Sequence, residues 1–204
     1  MSWTLIETEH NTDEISRLKR QIAGAASDNI IMYCAAADQG LYGGLKKLYP
    51  AGSDAAIRVV GSATETGQSS GFVNQDQVDY LFPGEEFQEI GNRRGSSAAT
   101  ALAAGFTALI LWCYEASERN AKLTQADRQR MRNPEYMHYM FDNLQSLVHT
   151  AGAKSNTLQN KWVDASILLD NQPDGEGIDR VVDRVDSEFI RRGKGGPRIY
   201  STGQ

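Results

Sequence analysis

Two adjacent serines, Ser96 and Ser97, follow Gly95 and open a run of small, uncharged residues that reads as one long helix ending near Tyr114. A helix N-terminus leaves backbone N–H groups unpaired and carries partial positive charge, so a hydroxyl on its first turn sits where a developing oxyanion is stabilised. That is the setting of a serine nucleophile, provided a base stands beside it. The chain has three histidines, His10, His138 and His149. His10 lies in a polar segment ahead of a capped helix, and the other two follow the serines. Gly95-Ser96-Ser97-Ala98-Ala99 lacks the final glycine of the Gly-x-Ser-x-Gly elbow, the setting in which a later histidine serves as base. All three therefore read as surface or helix-face histidines. Cys34 and Cys113 each sit inside an apolar run, without disulfide or metal-ligand spacing, and read as buried free thiols in a reducing compartment. No metal and no cofactor is expected.

The elements that must hold Ser97 come before it. Asn11 with Glu14 three residues on has the spacing of a capping box, and Ile15, Leu18, Ile22 and Ala25 then recur at helical spacing, leaving Arg17, Lys19 and Arg20 to solvent. Asp28-Asn29 turns the chain into the apolar run Ile30 to Ala35, which has the length and bounding signals of a buried parallel strand. Further strands are expected over Ile57 to Ala63 and over Val78 to Phe82, the latter closed by Pro83-Gly84. Helix and buried strand in alternation argue an α/β architecture. The glycine-rich loop from Asp38 to Gly52 leaves the C-terminal end of a strand, where open α/β sheets place their ligand sites, so it is either a cleft wall or a plain connection.

Composition narrows the partners. A hydrophobic fraction of 40% with 23% charged residues is that of an ordinary soluble globular protein, and a net charge of -5 exerts no general pull toward nucleic acid or an anionic membrane surface. The run from Gly95 to Tyr114 approaches the roughly 20 residues that span a bilayer. Its alanine, glycine, serine and threonine suit a helix buried against a sheet instead. Met1 leads into polar residues without the basic and apolar regions of a signal peptide, which points to the cytoplasm.

The segment around Ser97 resembles the serine motif of the subtilisin-like peptidases, Gly-Thr-Ser-Met-Ala-[Thr/Ser]-Pro-His-Val-Ala-Gly. Gly95, Ser97, Ala99, Thr100 and Ala104-Gly105 agree, Ser96 replaces the threonine, and Ala101-Leu102 replaces the Pro-His pair. Three further blocks follow the family's order: Ile30 to Asp38 resembles its apolar strand ending in Ala-Ala-Gly-Asn, then come Tyr49-Pro50 with Ile57 to Ala63, then Val78 to Gly84. The resemblance covers Met1 to about Cys113 and is that of a divergent, fungal-type member. It implies a partial subtilisin-like parallel sheet with flanking helices, peptide-bond hydrolysis by Ser97, and a polypeptide substrate bordered by Ser2, Trp3, Ala36 and Ala37. The family's triad runs Asp, His, Ser along the chain, so the resemblance implies that the first two lie before Met1, in a missing N-terminal half that would be this chain's partner. Asp38 stands at the position of the family's oxyanion-hole asparagine. An ionised carboxylate only accepts hydrogen bonds and repels an oxyanion; a protonated one could donate, if its pKa rose well above about 3.9. The bland alternative is an aspartate that caps local backbone.

After Glu115 charged residues dominate and the resemblance fades. The expected organisation is a peptidase-like part over 1–116, a helical extension over 117–169 and a polar, weakly ordered tail over 170–204. Thr124 with Asp127 can cap a short helix. Asn133-Pro134 marks a second start, with Met137, Met140, Phe141, Leu144, Leu147 and Val148 as its apolar face, and Ile178 to Ile190 is a further helix candidate within the tail. Two functions stay open: a serine endopeptidase, or an inactive peptidase-like module that binds peptides or regulates.

Overall fold

The computed structural model describes residues 5–6, 8, 10–39, 48–51, 55–85, 94–116, 129, 132–145, 161–165 and 181–182. Ser2 and Trp3, most of the loop after Asp38, the Thr124 cap, His149 and nearly all of the expected tail lie outside them.

Helix α1, Thr12–Ser27, buries Ile15 and Ile22 and packs Leu18 and Ala25 against Met32, Cys34 and Ile57. The apolar spacing is therefore that of a helix laid on a sheet. Its expected capping box does not form. Asn11, at φ -123° and ψ 20°, lacks the extended backbone that aims a capping side chain into the first turn, and its Oδ1 instead accepts the Thr8 N–H at 2.8 Å. Asn29 turns the chain out of α1 at φ 57°, a left-handed position that asparagine tolerates.

Three parallel strands follow: β2 (Met32–Ala35), β4 (Ile57–Ala63) and β5 (Tyr80–Pro83), in the order β2-β4-β5, with Cys34 opposite Val59 and Val60 opposite Tyr80. Two short segments, β1 (Leu5–Ile6) and β3 (Leu48–Tyr49), pair antiparallel as a separate two-stranded sheet. All four β2 residues are buried, as a near-continuous apolar run in a covered parallel strand requires. One face of the sheet receives α1 and the other receives α2, Ser96–Ala116. The molecule is thus α/β, with helices on both faces of the sheet.

Helix α2 is long and apolar enough to cross a membrane, but nine of its residues, among them Ala103, Phe106 and Ile110, are buried within this fold. Its outward face carries Leu102, Leu109 and Trp112, the last 54% exposed. Helix α3, Pro134–Leu144, starts as its sequence dictates: Asn133 Oδ1 accepts the Glu135 N–H at 2.8 Å, with proline in the first turn. Met137, Met140, Phe141 and Leu144 of α3 share one core cluster with Val60, Tyr80, Phe82 and the inner face of α2, so residues on both sides of position 117 pack together. Trp162 pairs parallel with Leu81, and backbone bonds from Leu81 N–H to the Lys161 carbonyl and from Val163 N–H back to Leu81 extend the sheet past β5. Val181 and Val182 are helical and belong to the same cluster.

Candidate active site

Parallel strands bring their C-terminal ends together, and here those ends meet the start of α2. The Ala36 N–H extends the β2 ladder to the Val60 carbonyl at 2.8 Å, which carries the chain past Ala37 to Asp38. At the end of β4 and β5, the Gly84 N–H reaches the Ala63 carbonyl at 3.1 Å, and the Gly95 N–H reaches the Gly84 carbonyl at 2.7 Å. Gly95 has φ +120°, a backbone position closed to other residues, and its carbonyl accepts the Ala98 and Ala99 N–H groups to begin the helix.

The two serines then diverge. Ser97 is exposed on the first turn of α2, and among the described residues its hydroxyl meets no partner. Ser96 is fully buried. Its hydroxyl donates to Asp38 Oδ1 at 2.6 Å and accepts the Ser62 N–H at 3.1 Å, while its own N–H donates to Asp38 Oδ2 at 3.0 Å. Ser62 in turn shares a 2.8 Å hydrogen bond with Ser70. Asp38 therefore caps backbone, but 58 residues away at the start of α2 rather than locally. Sequence reasoning brought Asp38 and Ser97 to one place but did not assign Ser96 a role, and no spacing in the chain signals it. Ala36 is buried and Ala37 half-buried at the same strand end.

Two of the three histidines are described. His10 is exposed in the turn before α1. His138 lies on α3 as a helix-face residue but not at the surface: it is 3% exposed, its ring set against Tyr33 of β2 and Arg58 of β4. The Arg58 Nε–H donates to its Nδ1 at 3.2 Å, which leaves the proton of the neutral ring on Nε2, and the ring meets Tyr33 edge-on. The Tyr33 hydroxyl pairs with Thr107, ten helical residues or about 15 Å along α2 from Ser97. His138 thus sits at the far end of the sheet from the serines.

Burial, seconded by the Arg58 charge, lowers His138 from 6.5 to about 4. The folded state holds the ring neutral while the unfolded chain takes up a proton below 6.5, so this contribution to stability is complete above pH 6.5 and is lost as pH falls toward 4. The expected loss over that window is on the order of 3 kcal/mol. Urea midpoints between pH 4 and 7 check it: His138→Gln, which keeps an acceptor for Arg58, should flatten the curve, and an unchanged slope would refute the assignment.

Among the described residues no group of three or more His, Cys, Asp or Glu could hold a metal ion. Cys34 and Cys113 are free and buried.

The model of the subtilase family, Peptidase S8, matches residues 1–164. Among solved structures, a lanthipeptide protease superimposes with a TM-score of 0.55 at 15% identity, over 80% of this chain and 57% of its own. The prenylagaramide maturation protease PagA gives 0.51 at 17% identity, over 83% of this chain and 55% of its own. No curated protein matches the chain. The chain spans a little over half the length of these two structures, which share its fold. With the family's model matched over most of its length and its serine segment opening the helix at the sheet's C-terminal edge, the chain belongs to the subtilase family.

Proposed function

We propose that this chain carries the nucleophile-bearing part of a serine endopeptidase, in which Ser97 attacks the scissile carbonyl of a polypeptide substrate. The observation behind this reading is the position of Ser97: exposed, on the first turn of a helix whose other first-turn serine is buried, at the C-terminal edge of a parallel sheet. The Ser97 N–H belongs to the first-turn group that a helix leaves without carbonyl partners, and it is a donor for the oxyanion that forms on the substrate's carbonyl oxygen when Oγ bonds to the carbonyl carbon. Ser2, Trp3, Ala36 and Ala37 border the peptide in this reading. The histidine base and its orienting aspartate come from a segment that precedes Met1 in the full-length protein, and that segment is the partner of this chain. The outward face of α2, with Leu102, Leu109 and Trp112, supports the reading as an apolar surface for such a segment to cover.

A second reading is favoured by Asp38, which holds the family's asparagine position and accepts from Ser96 through both oxygens. A carboxylate there removes a donor whose loss typically lowers turnover about 10²–10³-fold, consistent with a module that binds peptides without cleaving them. A fluorophosphonate probe separates the two. It should leave residues 1–204 unlabelled and label the longer protein at Ser97, with the label lost in Ser97→Ala. A longer protein that carries both triad blocks and stays unlabelled would favour the binding module, and stoichiometric labelling of residues 1–204 would show that the base lies within them.

A further inference from the structure

A serine hydroxyl at 2.6 Å from a carboxylate looks like an activated nucleophile, but Ser96 has no surface through which a substrate could reach it. Both hydrogen-bonding roles of its hydroxyl are already filled, by Asp38 Oδ1 as acceptor and the Ser62 N–H as donor. Its N–H and O–H groups grip the two oxygens of one carboxylate, which fixes the rotation of residue 96 about the helix axis. Three segments converge on this one side chain: the exit of β2, the end of β4 and the start of α2. We propose that Ser96 is a positioning residue for Ser97, and that Asp38 acts through it as the anchor of the first turn of α2. This rests on the reading of Ser97 as the nucleophile.

The physical case has three parts. A hydrogen bond from a hydroxyl to a carboxylate is charge-assisted and stronger than a neutral one, and a carboxylate at a helix N-terminus complements the helix dipole. The surroundings are built to the size of the clasp: a Cβ on Gly95 would lie 2.6 Å from Asp38 Oδ2, and one on Gly84 would lie 2.3 Å from Ser62 Oγ. Finally, consecutive helical residues point about 100° apart, so with residue 96 gripped inward its neighbour is held outward, as Ser97 is. Misplacement of a reacting group by about 1 Å can cost 10²-fold in rate, which makes such a clasp part of the reaction's geometry.

The test needs no catalysis. In residues 1–204 carrying Ser97→Cys, the pH dependence of alkylation by iodoacetamide reports the environment of the introduced thiol. The native thiols are buried, Cys34 being pushed up to about 12, so they stay in the background. Adding Ser96→Ala should move the profile toward that of a free cysteine by roughly half a pH unit, whereas Ser96→Thr, which retains the hydroxyl, should restore it. In the parent chain, amide exchange at Ser96 should speed up about tenfold on Ser96→Ala and return with Ser96→Thr. Superimposed alkylation profiles, or unchanged Ser96 exchange, would overturn the positioning role. If Ser96→Ala does not fold, Asp38→Ala removes the anchor from the other side, and unchanged amide exchange at Ser96 there overturns it equally. Probe labelling at Ser97 in the longer protein is scored separately, so the clasp can fail while the nucleophile stands, and the reverse.

Discussion

Phe141→Ala should destabilise the chain by about 3–5 kcal/mol, a large share of the roughly 5–15 kcal/mol that holds a typical domain folded. Phe141 is completely buried and its ring meets four others: Tyr33 at 5.7 Å, Tyr80 at 5.3 Å, Phe82 at 5.6 Å and Phe106 at 5.8 Å between centroids. Those partners come from β2, β5 and α2, so removing one ring opens a cavity where the sheet, α2 and α3 all meet. Aromatic pairs contribute beyond their buried area, and the surrounding backbone is too constrained to collapse into the space. Urea denaturation followed by circular dichroism measures the change. Phe141→Leu should retain most of the stability, and a loss below about 1 kcal/mol in the alanine variant would mean that α3 is not part of the cooperative core.

Gly95→Ala should cost about 2–6 kcal/mol and loosen the first turn of α2. A non-glycine residue at φ +120° carries about 1–3 kcal/mol of backbone strain, and the new methyl group, 2.6 Å from Asp38 Oδ2, can be accommodated only if the carboxylate swings away. Swinging away breaks its bond to the Ser96 N–H and leaves polar groups beside a buried serine unpaired, another 1–3 kcal/mol or so. Gly105→Ala is the internal control. It lies on the outward face of the same helix with nothing within 4 Å of a new Cβ, and the higher helix propensity of alanine should stabilise the chain by up to about 1 kcal/mol. Thermal unfolding of the two variants should shift in opposite directions; shifts of the same sign would contradict the geometry around Gly95.

Much of the fold is legible in the sequence where local signals and tertiary demand agree. Ile57 to Ala63 is a short, β-branched run bounded by turn residues, and β4 occupies that span. Asn133-Pro134 announces α3 because a side-chain acceptor and a missing N–H both satisfy a helix start locally. Asn11 shows the limit of the same logic, since its side chain has a second donor in reach, the Thr8 N–H, and takes it. Trp162 and Val163 join β5 through backbone bonds that leave no trace in side-chain pattern, and Val181-Val182 is too short an apolar signal within a glycine-rich acidic segment to announce a core contact. At the candidate site, the nature of the helix start is legible from Gly95 and the small residues after it. Which serine turns inward is not, because that depends on an aspartate 58 residues away whose approach is set by the parallel pairing of β2 with β4. The burial of His138 is not legible for a related reason: an isolated histidine among Met137, Met140 and Phe141 has no local feature that reveals its guanidinium partner, which arrives from β4.

The 21-residue span of α2 has an evolutionary consequence. At about 1.5 Å per residue it is some 30 Å long, with the serine clasp at one end and Cys113 and Tyr114 buried at the other. The residues that make this chain fold, such as Phe106, Ile110 and Phe141, are separate from those that would make it cut. Selection for a stable fold and selection for turnover therefore act on different positions. A lineage can relax one while the other holds, and drift at Ser97 would leave the architecture of a peptidase standing long after, or long before, it served as one.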